Sequence, residues 1–378
     1  MLYWIWLSEV KGIGPVMQKR LLAYLQSPKA IYTASSEELM NVPGIGCHLA
    51  EEITTSSLKR AQEILGMCNG LNIQLLTFHD ERYPSRAKEY PLCPILLYYR
   101  GHLVENSIGV GIVGARRCSS YGKEIAKQAG QYLAQNNIPV ISGMAKGIDG
   151  YAHISCLKAG GYTLAFLGSG VDICYPKEHD ELMARIMESG AVLSQYPPET
   201  KPKPQYFPKR NALISAWSEK ILVVEAGAKS GALITAQYTK QLKREVLAVP
   251  NQIYSQMGKG TNQLIKEGAT IYLGPEQLIN TEPVMNVEAK IIGDNGLKPV
   301  KGNKKRKAME AMKIASPQVN TPTEQRVIDA LFGTPKTMAQ IVEETKLQQL
   351  VLLEVMTILE LEGKISSLPG GKWVKEVI

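Results

Sequence analysis

The chain has 378 residues, 44% of them hydrophobic and 21% charged, with 43 Lys and Arg against 35 Asp and Glu for a net charge of +8. Such a length exceeds one ordinary hydrophobic core and predicts several domains, the composition excludes an intrinsically disordered chain, and the basic excess favours a polyanionic partner. The cysteines Cys47, Cys68, Cys93, Cys118, Cys156 and Cys174 are scattered, with no C-x-x-C and no His at metal spacing. We therefore expect a reducing, cytoplasmic setting, no metal site and no cofactor.

The opening MLYWIWL gives way at once to Ser8, Glu9 and Lys11, so it is too short for a signal core and lacks a basic leader. It predicts the buried start of a first helix, and no later stretch approaches the length of a membrane span. LSEVKGIGPVMQKRLLAYL from Leu7 and LMNVPGIGCHLAEEI from Leu39 then repeat the pattern apolar-x-Gly-Ile-Gly. Each predicts a helix that ends at a glycine pair and another that begins there. Residues 1–71 resemble a tandem helix-hairpin-helix module, whose hairpins bond phosphates without reading sequence or serve as protein docks. The acidic flanks Glu9, Glu37, Glu38, Glu51 and Glu52 leave both uses open.

Between 72 and 285 the pattern changes to short apolar runs separated by amphipathic stretches. The runs lie at 108–113, 138–142, 162–167, 192–195, 221–225, 246–249 and 270–273. Continuous rather than alternating runs predict strands buried on both faces, hence an α/β fold with a doubly wound, largely parallel sheet. Ligands of such sheets sit beyond the carboxyl ends of the strands. Those ends carry Gly114, Arg116 and Arg117; Ser142, Gly143, Lys146 and Asp149; Gly168, Ser169, Gly170 and then Lys177. The loop YPPETKPKPQYFPKRN adds Tyr196, Tyr206 and Phe207 beside Lys201, Lys203, Lys209 and Arg210. Cations, glycine turns and aromatics on one rim suit a polynucleotide gripped by its backbone and stacked through its bases.

The stretch 112–122, IVGARRCSSYG, is the clearest anion site, a strand entering a turn and a helix start with Ser119 among its hydroxyls. Gly109, Gly111 and Gly114 spell G-x-G-x-x-G, but these glycines fall within the strand, and the second strand ends in Ser142 and Gly143 rather than an acid. A dinucleotide fingerprint needs the opposite on both counts, so NAD binding is not expected.

Residues 286–320 are poor in aromatics and carry Lys304, Lys305, Arg306 and Lys307, which predicts a flexible basic linker. Three helices at 323–332, 337–345 and 348–362 and a hairpin around Pro369, Gly370 and Gly371 then outline a winged helix over 321–378. Between Leu347 and Glu362 there is no basic residue, so this domain is expected to contact protein rather than read a major groove.

The motifs GARRCSSYG, SGMAKGIDGYAH, GSGVDICYP, FPKRN, VVEAGAKSGALITA, AVP and GTNQLIKEGA occur in this order between Gly109 and Leu278. In all of them the chain resembles the DNA-processing protein A family (DprA, also called Smf). The resemblance implies an extended Rossmann-like fold, binding of single-stranded DNA, transfer of that DNA to the recombinase RecA in natural transformation, and a homodimer. Single-strand-binding protein is a further candidate partner. Carried over by motif, Arg116 is the principal phosphate ligand and Lys177 the basic residue after Tyr-Pro, with Gly114 and Ser119 beside Arg116. Gly168, Ser169 and Gly170 form the matching loop, and Lys209, Arg210 and Asn211 the last element. The chain departs from the family pattern at Ala212, where arginine is common, at Trp217 and at Asn251. Loss of an arginine at Ala212 would remove a phosphate contact, with Lys209 as the neighbouring cation.

The resemblance implies no catalysis. The enzymatic alternative is a nucleotide phosphoribohydrolase of the lysine-decarboxylase-like fold, whose relatives use a P-G-G-x-G-T-x-x-E turn. Here that turn reads AGAKSGALITA, which leaves Glu225 and Asp149 as the available acids.

Overall fold

A computed structural model describes residues 1–105, 107–279, 322–361, 364–368 and 371–375. The expected linker with Lys304, Lys305, Arg306 and Lys307, and Pro369 and Gly370 of the expected turn, lie outside the described residues.

Six helices come first: α1 Leu2–Glu9, α2 Pro15–Leu25, α3 Pro28–Thr33, α4 Ser36–Met40, α5 Cys47–Thr55 and α6 Lys59–Gly70. The apolar opening is the buried helix the sequence predicts, with Ile5, Trp6 and Leu7 inside the core. Both repeats form hairpins, α1 to α2 and α4 to α5. The first glycine of each Gly-Ile-Gly, Gly12 at φ +76° and Gly44 at φ +91°, takes the left-handed conformation that a side chain resists. Gln18 closes the first hairpin by donating to the carbonyls of Leu7 at 3.0 Å and Ile13 at 3.1 Å.

The α/β domain follows in the order β1 Gln74–Thr77, α7 Ser85–Lys88, β2 Leu96–Gly101, β3 Gly109–Val113, α8 Ser120–Gln135, β4 Val140–Ser142, α9 Ile148–Lys158 and β5 Thr163–Phe166. A 3₁₀ turn at Lys177–His179 leads into α10 Asp180–Ser189, β6 Ala191–Ser194, α11 Tyr206–Ala216, β7 Ser218–Val223, α12 Gly231–Gln241, β8 Glu245–Ala248, α13 Lys259–Lys266 and β9 Thr270–Ile271. The nine strands lie in the order β1-β2-β6-β5-β4-β3-β7-β8-β9. From β6 to β9 all neighbours are parallel, whereas β1 and β2 are antiparallel additions at one edge.

Alternation along the strands divides the core between two faces. Ile112 and Val140 pack with Ala126, Ala129 and Leu133 of α8 on one side. Val113 and Ile141 pack with Leu213 of α11 and Ala236 of α12 on the other. The glycines of the apparent fingerprint serve this packing. A Cβ on Gly111 would run into the side chain of Ile221, and one on Gly114 would lie 2.6 Å from Ile148 Cγ1.

The chain runs from β3 to β6 on one side of the sheet and then returns to place β7 against β3. The loops leaving β3 and β7 therefore diverge and open a crevice at their carboxyl ends, where ligands of such sheets bind.

The last elements are α14 Pro322–Ala330, β10 Lys336–Thr337, α15 Met338–Thr345, α16 Gln349–Leu361, β11 Ile365–Leu368 and β12 Lys372–Lys375. The three strands form a small sheet in the order β10-β12-β11, completing a winged helix. Its third helix, α16, packs against the 3₁₀ turn Lys177–His179, α9 and α10. Among the described residues no helix is long and apolar enough to cross a membrane.

Candidate nucleic-acid interface

The crevice begins with the β3–α8 loop. Gly147, at φ +74°, lies so close beneath this loop that a Cβ there would touch the Arg116 carbonyl oxygen at 2.6 Å. The Ile148 amide donates to the Ala115 carbonyl at 3.2 Å. These two contacts fix the backbone at Arg116 while its side chain stays exposed. The guanidinium stands 5.5 Å from the centre of the Phe207 ring and has no hydrogen bond or ion pair among the described residues. A cation on an aromatic face with no acidic partner among the described residues can accept an anion.

Phe207 joins the expected pieces. Its ring approaches Tyr175 at 5.7 Å between centroids, and the Arg210 guanidinium lies 5.7 Å from its centre. Gly168 gives the ring its place, since a Cβ there would lie 3.1 Å from two ring carbons. Arg116, Phe207, Arg210 and Asn211 line a cavity of about 300 Å³, and Tyr175, Pro176 and Lys146 line a smaller one beside it. Lys177 follows Pro176 and is exposed, as is Lys209 on α11. Lys146 is also exposed but is paired with Glu178 at 2.5 Å. Phe207 was visible in the sequence as one aromatic of a basic loop, and only the fold singles it out from Tyr196 and Tyr206. Those two stack on each other at 4.1 Å.

Several residues expected at the rim sit below it. Arg210 is only 5% exposed. Its Nη1 donates to the carbonyls of Gly143 and Phe166, and its Nε donates to Asn211 Oδ1 at 3.0 Å. Asn211 continues the chain by donating from Nδ2 to the Gly231 carbonyl at 3.2 Å. Beneath Arg210, the Asp149 carboxylate accepts the Gly143 amide at 3.2 Å and the Ala145 amide at 3.4 Å. Burial pushes the Asp149 carboxyl up and the Arg210 guanidinium down to about 10, while each charge favours the other. The guanidinium therefore stays charged at neutral pH and works as an internal counter-ion.

The loop Gly168, Ser169 and Gly170 is buried. Ser169 Oγ donates to the Ile173 carbonyl at 3.0 Å, and the Gly170 amide donates to the Thr200 carbonyl at 2.9 Å. These two donors are spent on shape rather than left facing solvent. Ala212 is 1% exposed and faces the core, so its departure from the family pattern leaves no gap in the cationic rim. Trp217 is likewise buried, packed between Tyr83 at 4.9 Å and Phe166 at 5.1 Å. Asn251 exchanges two hydrogen bonds with Asn262, at 3.0 and 2.9 Å, which tie the loop after β8 to α13.

The helix start that looked like an anion cradle already holds an internal carboxylate at Ser119. Glu225, just beyond β7, accepts the Ser119 backbone amide at 2.9 Å and the Ser119 hydroxyl at 2.5 Å. Ser119 is therefore engaged with a carboxylate, contrary to the expectation that its donors stand free. Arg116, Lys177 and Lys209 remain exposed, as do Arg117, Lys201 and Lys203 of the expected rim.

Residues 74–283 match the family described as DNA recombination-mediator protein A, 312–371 match the DprA winged helix domain, and 7–60 match a SAM-like helix-hairpin-helix tandem. The chain is 33% identical over 402 residues to Protein Smf of Synechocystis sp., covering 98% of each. It is 36% identical over 201 residues to DNA processing protein DprA of Streptococcus pneumoniae, covering 53% of this chain and 71% of that protein. The X-ray structure of DprA from Streptococcus pneumoniae is similar with a TM-score of 0.64 and 28% identity, covering 73% of this chain and 96% of that one.

Proposed function

The chain belongs to the DNA recombination-mediator protein A family, and we propose that it is a noncatalytic, cytoplasmic single-stranded-DNA-binding protein that loads RecA in natural transformation. The observation that carries this reading is the exposed Arg116 held over Phe207 at the switch crevice. Arg116 takes a backbone phosphate, Lys177 and Lys209 extend the charge along the strand, and Phe207 and Tyr175 supply ring faces for unpaired bases. Gly114, Gly168, Ser169 and Gly170 shape the crevice, while Arg210 and Asn211 hold it from below. A duplex keeps its bases stacked inside and uses only the cations.

The two acids of the phosphoribohydrolase alternative both carry internal partners. Asp149 is committed to two amides and faces Arg210, and Glu225 is committed to Ser119.

The test is a titration of single- and double-stranded oligonucleotides at two salt concentrations, followed by RecA filament assembly on strands coated with single-strand-binding protein. We expect tighter binding to single strands. The logarithm of affinity should fall with the logarithm of salt by about 0.7 for each phosphate engaged. Equal affinity for duplex would remove the strand preference, no binding would remove the function, and unaltered filament assembly would remove the loading step.

A homodimer is the expected assembly. Strand β9 lies at the sheet edge and exposes Ile271, and Leu273 just beyond it is 82% exposed. Open edges with apolar side chains favour pairing with another copy. Leu273→Arg should convert a dimer to a monomer in sedimentation velocity. A wild-type monomer, or a variant that stays dimeric, would count against this surface.

A further inference from the structure

In a nucleotide-binding α/β sheet, the turn between a strand and the following helix holds phosphate with backbone amides and the positive end of the helix. The β3–α8 turn has that form, yet an internal carboxylate occupies it. Glu225 is 1% exposed. Its Oε2 accepts the Ser119 amide at 2.9 Å and its Oε1 accepts the Ser119 hydroxyl at 2.5 Å. The same hydroxyl oxygen accepts the Gly122 amide at 3.1 Å. Space for the carboxylate depends on Gly122, where a Cβ would lie 2.5 Å from Glu225 Oε2. Two of the donors a compact phosphate would use, the Ser119 amide and hydroxyl, are thus taken by an anion anchored in the loop after β7, and a third, the Gly122 amide, is taken by Ser119 itself.

We infer that Glu225 is a specificity-determining residue. It closes the α8 start to the phosphates of free mono- and dinucleotides and leaves Arg116 as the phosphate ligand. This inference rests on the single-stranded-DNA reading and deepens it. A free nucleoside diphosphate concentrates its charge in one compact group, which needs several donors converging on one point. At the α8 start it meets a like charge, and the Ser119 amide, the Ser119 hydroxyl and the Gly122 amide are already bonded. A polynucleotide presents its phosphates singly, spaced along a strand, and one exposed guanidinium over an aromatic ring suits each in turn. The same protein surface therefore favours a polymer over the abundant free nucleotides around it. The carboxylate also joins the loop after β3 to the loop after β7, the two that diverge at the crevice, so the exclusion and the shape of the rim share one side chain.

The test uses the full chain and ADP as the probe. Glu225→Gln removes the charge and keeps the shape. By calorimetry, we expect the variant to bind ADP at least tenfold more tightly than the wild type. A folded variant with no gain over the wild type would overturn the inference. A second measurement uses the wild type alone, so it stands whether or not the variant folds. On addition of inorganic pyrophosphate, the backbone amide resonances of Ser119 and Gly122 should stay in place while the Arg116 side-chain resonance moves. Movement of those two amides to saturation would overturn the inference. A single-stranded-DNA titration on the same wild-type preparation separates the two readings, since failure to bind DNA refutes the function whatever ADP does.

Discussion

Arg116→Glu should lower single-stranded-DNA affinity by about 100-fold to 1,000-fold while leaving the fold intact. A hydrogen bond to a charged group contributes about 1.5–3 kcal/mol, and placing two like charges at contact near a surface adds about 1 kcal/mol or more of repulsion. At about 1.4 kcal/mol per tenfold change, the sum gives that range. The effect on folding is small because the side chain is exposed and rests on the Phe207 face. Loss of an exposed cation–π contact costs about 0.5–1 kcal/mol. Fluorescence anisotropy at low salt measures the binding and thermal unfolding measures the fold. The salt dependence should also become shallower by about 0.7 in slope, the share of one phosphate on a single strand. A folded variant that binds like the wild type would remove Arg116 from the site and with it the observation on which the functional reading stands.

The strands from β3 to β9 were legible in the sequence because burial on both faces leaves unbroken apolar runs. All seven expected runs fall on strands. The antiparallel pair β1 and β2 was not legible as strand, since Pro84, Pro91 and Pro94 interrupt the region and the edge position carries no separate signal. The candidate site was legible as composition and illegible as geometry. Lys209 and Arg210 are adjacent in sequence, but on α11 neighbours point about 100° apart, so one is exposed and the other enters the protein. Ser119 read as a free donor because its acceptor, Glu225, lies 106 positions away. Pairings of that sequence separation are set by the strand order, which places β7 beside β3.

The same division of labour gives Arg210 a different expected phenotype from Arg116. Arg210→Ala should destabilise the α/β domain by about 2–6 kcal/mol, since each of two buried carbonyls left without a donor costs about 1–3 kcal/mol. The guanidinium satisfies the carbonyls of Gly143 and Phe166 and the side chain of Asn211, and its charge faces the buried Asp149. Without it, two strand-end carbonyls lose a donor and Asp149 loses its counter-ion. The α11 residue that follows, Asn211, also loses the donor to its Oδ1, which orients its amide toward the Gly231 carbonyl at the start of α12. For a domain of this size the change corresponds to a fall in Tm on the order of 10 °C. Arg210→Lys should recover only part of it, because an ammonium cannot span several acceptors held in different directions by a planar fork. Loss of DNA binding in Arg210→Ala should then follow the unfolded fraction and be restored by cooling. A variant with wild-type Tm and weak binding would instead place Arg210 in direct contact with phosphate, and Asp149 would need another counter-ion.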